Sequence, residues 1–263
     1  QRRIVSRGTM QPPINHDYPA RWQSSRDGAP IVAIIAHGTV GHDSRRYLQR
    51  GGDLPDGSDR RVSIHVLIQK DGTIYRMVDD ARTANHAGGV LVGGVFSSVL
   101  NLNGQTYRGQ QVNRHTLGFE LENLQNSRDP YTDAQLWAMG WQIARWRSRH
   151  GQLPIVRHAT VDPKRKYDPY NLTVATMELW AARAAAGAVK KRYRVTSPVG
   201  ANIRSGRSTA AKIVGLLKMG DRWEGYPTPG GSVTIAGYGT SRTWIVDEAG
   251  RGVWAPLLEE IKE

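Results

Sequence analysis

The chain has 263 residues, 39% of them hydrophobic, with 36 Lys and Arg against 23 Asp and Glu, for a formal net charge of +13. Its length and apolar content exclude a disordered chain and predict one large domain or two unequal ones. The absence of cysteine excludes disulfides, thiol nucleophiles and thiolate ligands, so any metal must be held by nitrogen and oxygen.

The positive charge implies attraction to polyanions without choosing among nucleic acid, anionic lipid and acidic wall polymers. Most basic residues are spread along the chain and read as a solvated surface, with a local cluster at Lys190, Lys191, Arg192 and Arg194. No stretch reaches the roughly 18 apolar residues of a membrane span, and residues 1–30 lack the apolar core of a signal peptide, so a soluble protein is expected.

In chain order, Ile31 to Ala36 is a continuous apolar run that predicts a buried strand ending at His37-Gly38. A second strand is expected over Val62 to Gln69, turning at Lys70-Asp71-Gly72 into Thr73 to Val78 as a hairpin. Residues 87–113, rich in Gly, Asn, Ser and Gln, read as a long surface loop. Thr116 to Glu122 alternates as a short strand.

Thr132-x-x-Gln135 is a capping-box signal ahead of Leu136, Met139, Ile143 and Trp146, whose spacing predicts a helix packed on the sheet. Ile155-Val156 reads as a brief last strand, followed by an irregular segment from Arg157 to Tyr170. A further helix is expected from about Asn171 to Gly187. Past a basic link at 188–192 the texture changes to six short β runs broken by Gly, Pro and Ser, which predicts a small barrel. Two domains follow, one mixed α/β and one all-β.

The chemistry-bearing segment is His158 to Pro169. In an extended stretch Lys166 and Asp168 share a side with Tyr167 opposed, and His158 sits in a loop able to fold over the same point. With His37 at a strand end, this offers two imidazoles and one carboxylate. Three protein ligands with an open fourth position suit a catalytic zinc, whose water is acidified toward a pKa of about 7. A lysine nearby would stabilise a developing oxyanion, and Glu120 or Glu122 could act as the base, spacing alone not deciding between them. Each residue also has an ordinary reading, as a hydrogen-bonded histidine or a surface ion pair.

Several ordered motifs resemble the type 2 N-acetylmuramoyl-L-alanine amidase family, which includes peptidoglycan recognition proteins and phage lysins. They are Ile34-Ile-Ala-His37-Gly-Thr39, Val62-Ser-Ile-His65 through Tyr75, Asn85-His86-Ala-Gly88, Leu117-Gly-Phe-Glu120-Leu-Glu-Asn123, Tyr131 to Gln135, and His158 with Arg165-Lys166-Tyr167-Asp168-Pro169. The resemblance runs from about Ile31 to Ala184. It implies an α/β fold with a central mixed β-sheet flanked by helices, with His37, His158 and Asp168 as ligands of Zn2+. It makes Lys166 the oxyanion-stabilising cation, Glu120 the base and His86 a substrate-binding residue of the cleft. Glu122 is then a solvent or strand-edge carboxylate, and His65 a packed strand histidine.

The C-terminal region resembles a bacterial SH3-type wall-binding domain through Ala201 to Gly206, Ile213 to Leu217 and Gly252 to Trp254. Trp223, Tyr226, Tyr238 and Trp244 would line its groove or pack its core. The expected organisation is 1–187 as zinc amidase, with 1–27 an N-terminal extension, 188–192 as linker and 193–263 as SH3-like domain. The implied partner is bacterial peptidoglycan with anionic wall polymers, no nucleic acid, and the implied role is lysis at the cell wall by a phage endolysin or an autolysin. Rival expectations are a peptidoglycan sensor that binds without cleaving and a recycling amidase of the cytosol.

Overall fold

Main-chain pairing in the computed structural model joins six strands into one sheet: Ile14–Asn15 (β1), Ala33–Gly38 (β2), Val66–Ile68 (β3), Ile74–Arg76 (β4), Thr116–Leu121 (β5) and Ile155–Arg157 (β6). The structure describes residues 11–41, 43–53, 59–187, 191–247 and 251–261. Residues 1–10 of the expected N-terminal extension and 188–190 of the expected linker lie outside them. The strand order is β1-β4-β3-β5-β2-β6, with β3, β5, β2 and β6 mutually parallel and the β3–β4 hairpin antiparallel.

The sheet is mixed, as expected, because only the Lys70-Asp71-Gly72 turn is short enough to reverse the chain; the parallel pairs need longer crossovers. β2 is buried along its whole length, which is why it reads as an apolar run instead of an alternation. Burying Ile34 and Ile35 contributes about 1.5–3 kcal/mol each.

Helices cover both faces. Asp133–His150 (an 18-residue helix) buries Ala138, Met139, Ile143 and Trp146, and Trp146 stacks on Phe119 of β5. Its Thr132 cap accepts from the Gln135 amide, but the reciprocal half of the capping box is absent. The Gln135 side chain donates instead to the Ile68 and Glu122 carbonyls, at 3.1 and 2.9 Å, tying the helix to the sheet. On the opposite face Ala33 and Ile35 pack against Val112 of helix Gln110–His115 and Val161 of helix His158–Val161.

Residues 87–113 are not the open loop expected. Two hairpins, Leu91–Val92 with Val95–Phe96 and Val99–Leu102 with Gln105–Arg108, precede the helix Gln110–His115. Gly93-Gly94 and Asn103-Gly104 all take positive φ, the backbone that two-residue hairpin turns require. The segment after Arg157 is likewise less irregular than expected, since His158 opens a one-turn helix.

The described residues divide into two compact units, 12–178 and 179–261 with Gln11, the division falling inside the helix Val174–Ala185. The second unit holds a seven-stranded antiparallel sheet in which Arg222–Ile235 and Gly239–Val246 form one long hairpin. Trp223, Tyr226 and Trp244 are buried, and Tyr238 is half-buried. Trp223 and Trp244 each join an apolar cluster. The four therefore do not line a common open groove, although Tyr238 and Trp244 border a cavity of about 210 Å3 with Leu216 and Trp254.

Candidate metal centre

Alternation along β2 sends Ala33, Ile35 and His37 to one face, so the last of them lies in the strand's final two residues at the carboxyl edge of the sheet. Next door, β6 pairs Arg157 with Ala36, which delivers the following residue, His158, beside His37. Asp168 returns to the same point through a pinned loop. The Ala159 amide donates to the Asp168 carbonyl at 3.0 Å, Arg157 donates to the Pro169 carbonyl at 2.7 Å, and the Tyr170 amide donates to Gln125 Oε1 at 2.6 Å. Beneath it the fully buried Asp162 carboxylate accepts from Arg165 and from Ser97, both at 2.8 Å.

Nδ1 of His37 lies 2.9 Å from Nδ1 of His158 and 3.8 Å from Oδ2 of Asp168, while His158 Nδ1 lies 3.0 Å from that same oxygen. All three residues are buried, and their donor atoms lie within 4.8 Å of one another. Ligands 2.0–2.1 Å from a tetrahedral ion stand about 3.3 Å from each other, so the observed separations bracket what zinc needs. The donor set is two imidazoles and one carboxylate, and it fits a divalent ion of zinc's type.

Electrostatics follow from burial. Desolvation first, then the neighbouring imidazoles and Lys166, hold His37 well below the ordinary histidine range, which keeps its ring neutral. Burial raises the Asp168 carboxyl, but the hydrogen bond from His158, the Lys166 charge and the Gly38 amide outweigh it and the net shift is downward. Glu120 is the register partner of His37. Burial, and then the Asp168 charge, push its carboxyl up to about 8 against the opposing pull of Lys166, and its Oε2 has no hydrogen-bond partner among the described residues.

Glu120, His158, Lys166 and Asp168 share the wall of a cavity of about 420 Å3. An adjoining one of about 480 Å3 shares His86, His158 and Lys166 and adds Arg61 and Arg165. Tyr167 is exposed, whereas its neighbours Lys166 and Asp168 both border the cavity. Glu122 departs from its expected place at the solvent edge. It is 6% exposed and accepts from the Asp43 amide at 2.6 Å and the Lys70 amide at 3.3 Å, so it holds two loops. His65 is fully buried, accepting from the Gly118 amide at 3.1 Å.

His86 borders both cavities, yet it also touches His37, with its Nδ1 2.9 Å from His37 Nε2. Three further contributors carry no sequence signal of their own. Thr116 meets the far side of His86, Gly118 leaves room for that ring, and Arg26 bridges the Asp80 and Thr116 carbonyls to His65.

Fold and site together define an α/β domain with a candidate mononuclear metal centre at the carboxyl edge of a mixed sheet, open to a cleft. Residues 27–171 match the N-acetylmuramoyl-L-alanine amidase family, and the chain belongs to it. A 1,6-anhydro-N-acetylmuramyl-L-alanine amidase AmpD of Haemophilus influenzae is 31% identical over 112 residues, 41% of this chain and 52% of that protein. Its counterpart in Salmonella typhimurium is 29% identical over 147 residues, 54% of this chain and 65% of that one. The chain thus spans between half and two thirds of these curated relatives. The crystal structure of a selenomethionine AmpD derivative superposes with a TM-score of 0.50 at 21% identity, covering 67% of this chain and 98% of that one, and it shares the fold.

Proposed function

We propose that the protein is a zinc-dependent amidase that hydrolyses the bond between the N-acetylmuramic acid lactyl group and the first L-alanine of peptidoglycan. The observation that carries this reading is the convergence of His37, His158 and Asp168 on one point beside a cleft, in a chain of the amidase family. A bound zinc supplies Lewis acidity, lowering the pKa of a water toward about 7.

The chain's own residues do the rest. Glu120 takes a proton from the attacking water and passes it to the leaving nitrogen, a role favoured when a nearby cation offsets the burial that raises its pKa. Lys166 stabilises the charge that develops on the carbonyl oxygen, where a fixed cation acts more strongly on the transition state than on the substrate. The cleft bordered by His86 holds the sugar and stem peptide. In this reading residues 193–263 are an SH3-like wall-binding domain that raises the local substrate concentration, and the +13 net charge adds attraction to anionic wall polymers. The site of action is the bacterial wall, in lysis by an endolysin or an autolysin.

A second reading, favoured by the names of the curated relatives, is a recycling amidase acting on soluble 1,6-anhydromuropeptides. Digestion of purified sacculi, with and without a zinc chelator, separates the cases. New N-terminal alanine that chelation abolishes supports the wall amidase. Turnover of anhydromuropeptide with intact sacculi untouched favours recycling, new reducing ends mean a glycosidase, and binding without cleavage means a sensor.

A further inference from the structure

Thr116, in its extended conformation at the end of helix Gln110–His115, places Oγ1 2.6 Å from the Val112 carbonyl and 3.2 Å from His86 Nε2. Val112 lies in the last turn, where carbonyls lack intrahelical partners. A carbonyl oxygen only accepts, so the single hydroxyl hydrogen of Thr116 goes there. Toward His86 the same oxygen therefore accepts, and Nε2 of His86 carries the proton.

A neutral imidazole has one N–H, and the Thr116 contact assigns that of His86 to Nε2. Its Nδ1 is then a bare acceptor, 2.9 Å from His37 Nε2. That contact fixes the His37 proton on Nε2 and leaves the Nδ1 lone pair of His37 facing His158 and Asp168. The His86 ring is itself held. Its backbone amide and that of Ala87 donate to Asn113 Oδ1 at 3.1 and 2.7 Å, and Gly118 presents no Cβ, which would sit 2.5 Å from His86 Nδ1.

We infer that His86, oriented by Thr116 and the Val112 carbonyl, is a positioning residue that sets His37 in the Nε2–H tautomer whose Nδ1 is available to a metal. Ligand histidines generally donate their second N–H to a partner that fixes the ring, and here the partner is another histidine fixed in turn by a hydroxyl. The role rests on the reading of His37 as a zinc ligand. It also goes beyond cleft lining, because it assigns His86 a function with no substrate present.

The test uses the full chain labelled with 15N and freed of zinc. Long-range proton–nitrogen spectra should show both His37 and His86 as Nε2–H. Thr116→Val should remove that preference at His86, and Thr116→Ser should keep it. In competition with a chromophoric chelator, Thr116→Val and His86→Phe should bind zinc about 10–100-fold more weakly, with Thr116→Ser at the wild-type value. An Nδ1–H tautomer at His86 in the wild type, or wild-type zinc affinity in Thr116→Val, overturns the inference. A wild-type chain that binds no zinc overturns the metal reading and the role built on it, while the spectra judge the proton assignment separately.

Discussion

Glu120 stands opposite His37 in the register of the parallel pair β5–β2, so the backbone ladder holds a carboxylate and a candidate ligand imidazole at the same height. No loop rearrangement is needed to bring them together. Their spacing is a property of the sheet.

From that relationship, Glu120→Gln should retain the zinc and the fold while lowering turnover by about 100-fold or more, the usual weight of a positioned general base. Zinc content and kcat measured on the same preparation check this. Turnover within a few-fold of wild type would remove Glu120 from the mechanism.

Lys166 borders both cavities beside His158. Lys166→Ala should reduce kcat by about 100-fold, with smaller change in KM, because its cation acts on charge that exists only in the transition state. Zinc stoichiometry should be unchanged. Loss of the metal would show that Lys166 serves the ligands instead.

Gly118 marks a close approach. A Cβ there would meet His86 Nδ1 at 2.5 Å and Ile64 Cδ1 at 2.8 Å, both in a packed interior. Gly118→Ala should destabilise the protein by about 1–3 kcal/mol, and it should weaken zinc binding by displacing His86 from His37. Denaturant midpoints and chelator competition read the two effects separately.

Zinc-free protein should be most stable in a narrow range of mildly acidic pH. Burial first, then the Arg26 charge, lower His65 from 6.5 to about 3, and His37 and His86 are also held down. A base with a depressed folded pKa contributes fully above its unfolded value, so stability should fall as pH drops below about 6.5. Glu120 has the opposite sign. Raised from 4.5 to about 8, it contributes fully below 4.5, and that contribution is lost as pH rises toward 8. Urea midpoints across pH should show both limbs in the wild type, and Glu120→Gln should flatten the upper one.

What was legible in the sequence was local. The Ile31–Ala36 run, the Lys70-Asp71-Gly72 hairpin and the Thr132 cap each carry their periodicity and turn chemistry within a dozen residues, and each forms. The hairpins within 87–113 turn on Gly93-Gly94 and Asn103-Gly104, signals outweighed by the polar composition around them. The helix at His158 is four residues long, too short for a 3.6-residue period to register. Pro227, Pro229 and two following glycines disguise a 14-residue strand, and a register shift between Pro229 and Val233 absorbs them.

The candidate site divides in the same way. Motif order singled out the residues at 37, 158 and 168, which the sheet and a pinned loop bring together. The contact of His86 with His37 and Thr116 joins three distant segments through strand register, and no local pattern marks it. Glu122, two residues beyond Glu120 and matched to it by alternation, lies past the last residue of β5 and turns inward to bind loop amides.

The most direct test is zinc stoichiometry by elemental analysis after dialysis against metal-free buffer, on wild type and on His37→Ala, His158→Ala and Asp168→Ala. One zinc per wild-type chain, with binding lost or strongly weakened in each variant, is the predicted result. A wild type that holds no zinc, or a variant that holds it as tightly as wild type, would contradict a centre built from these three residues.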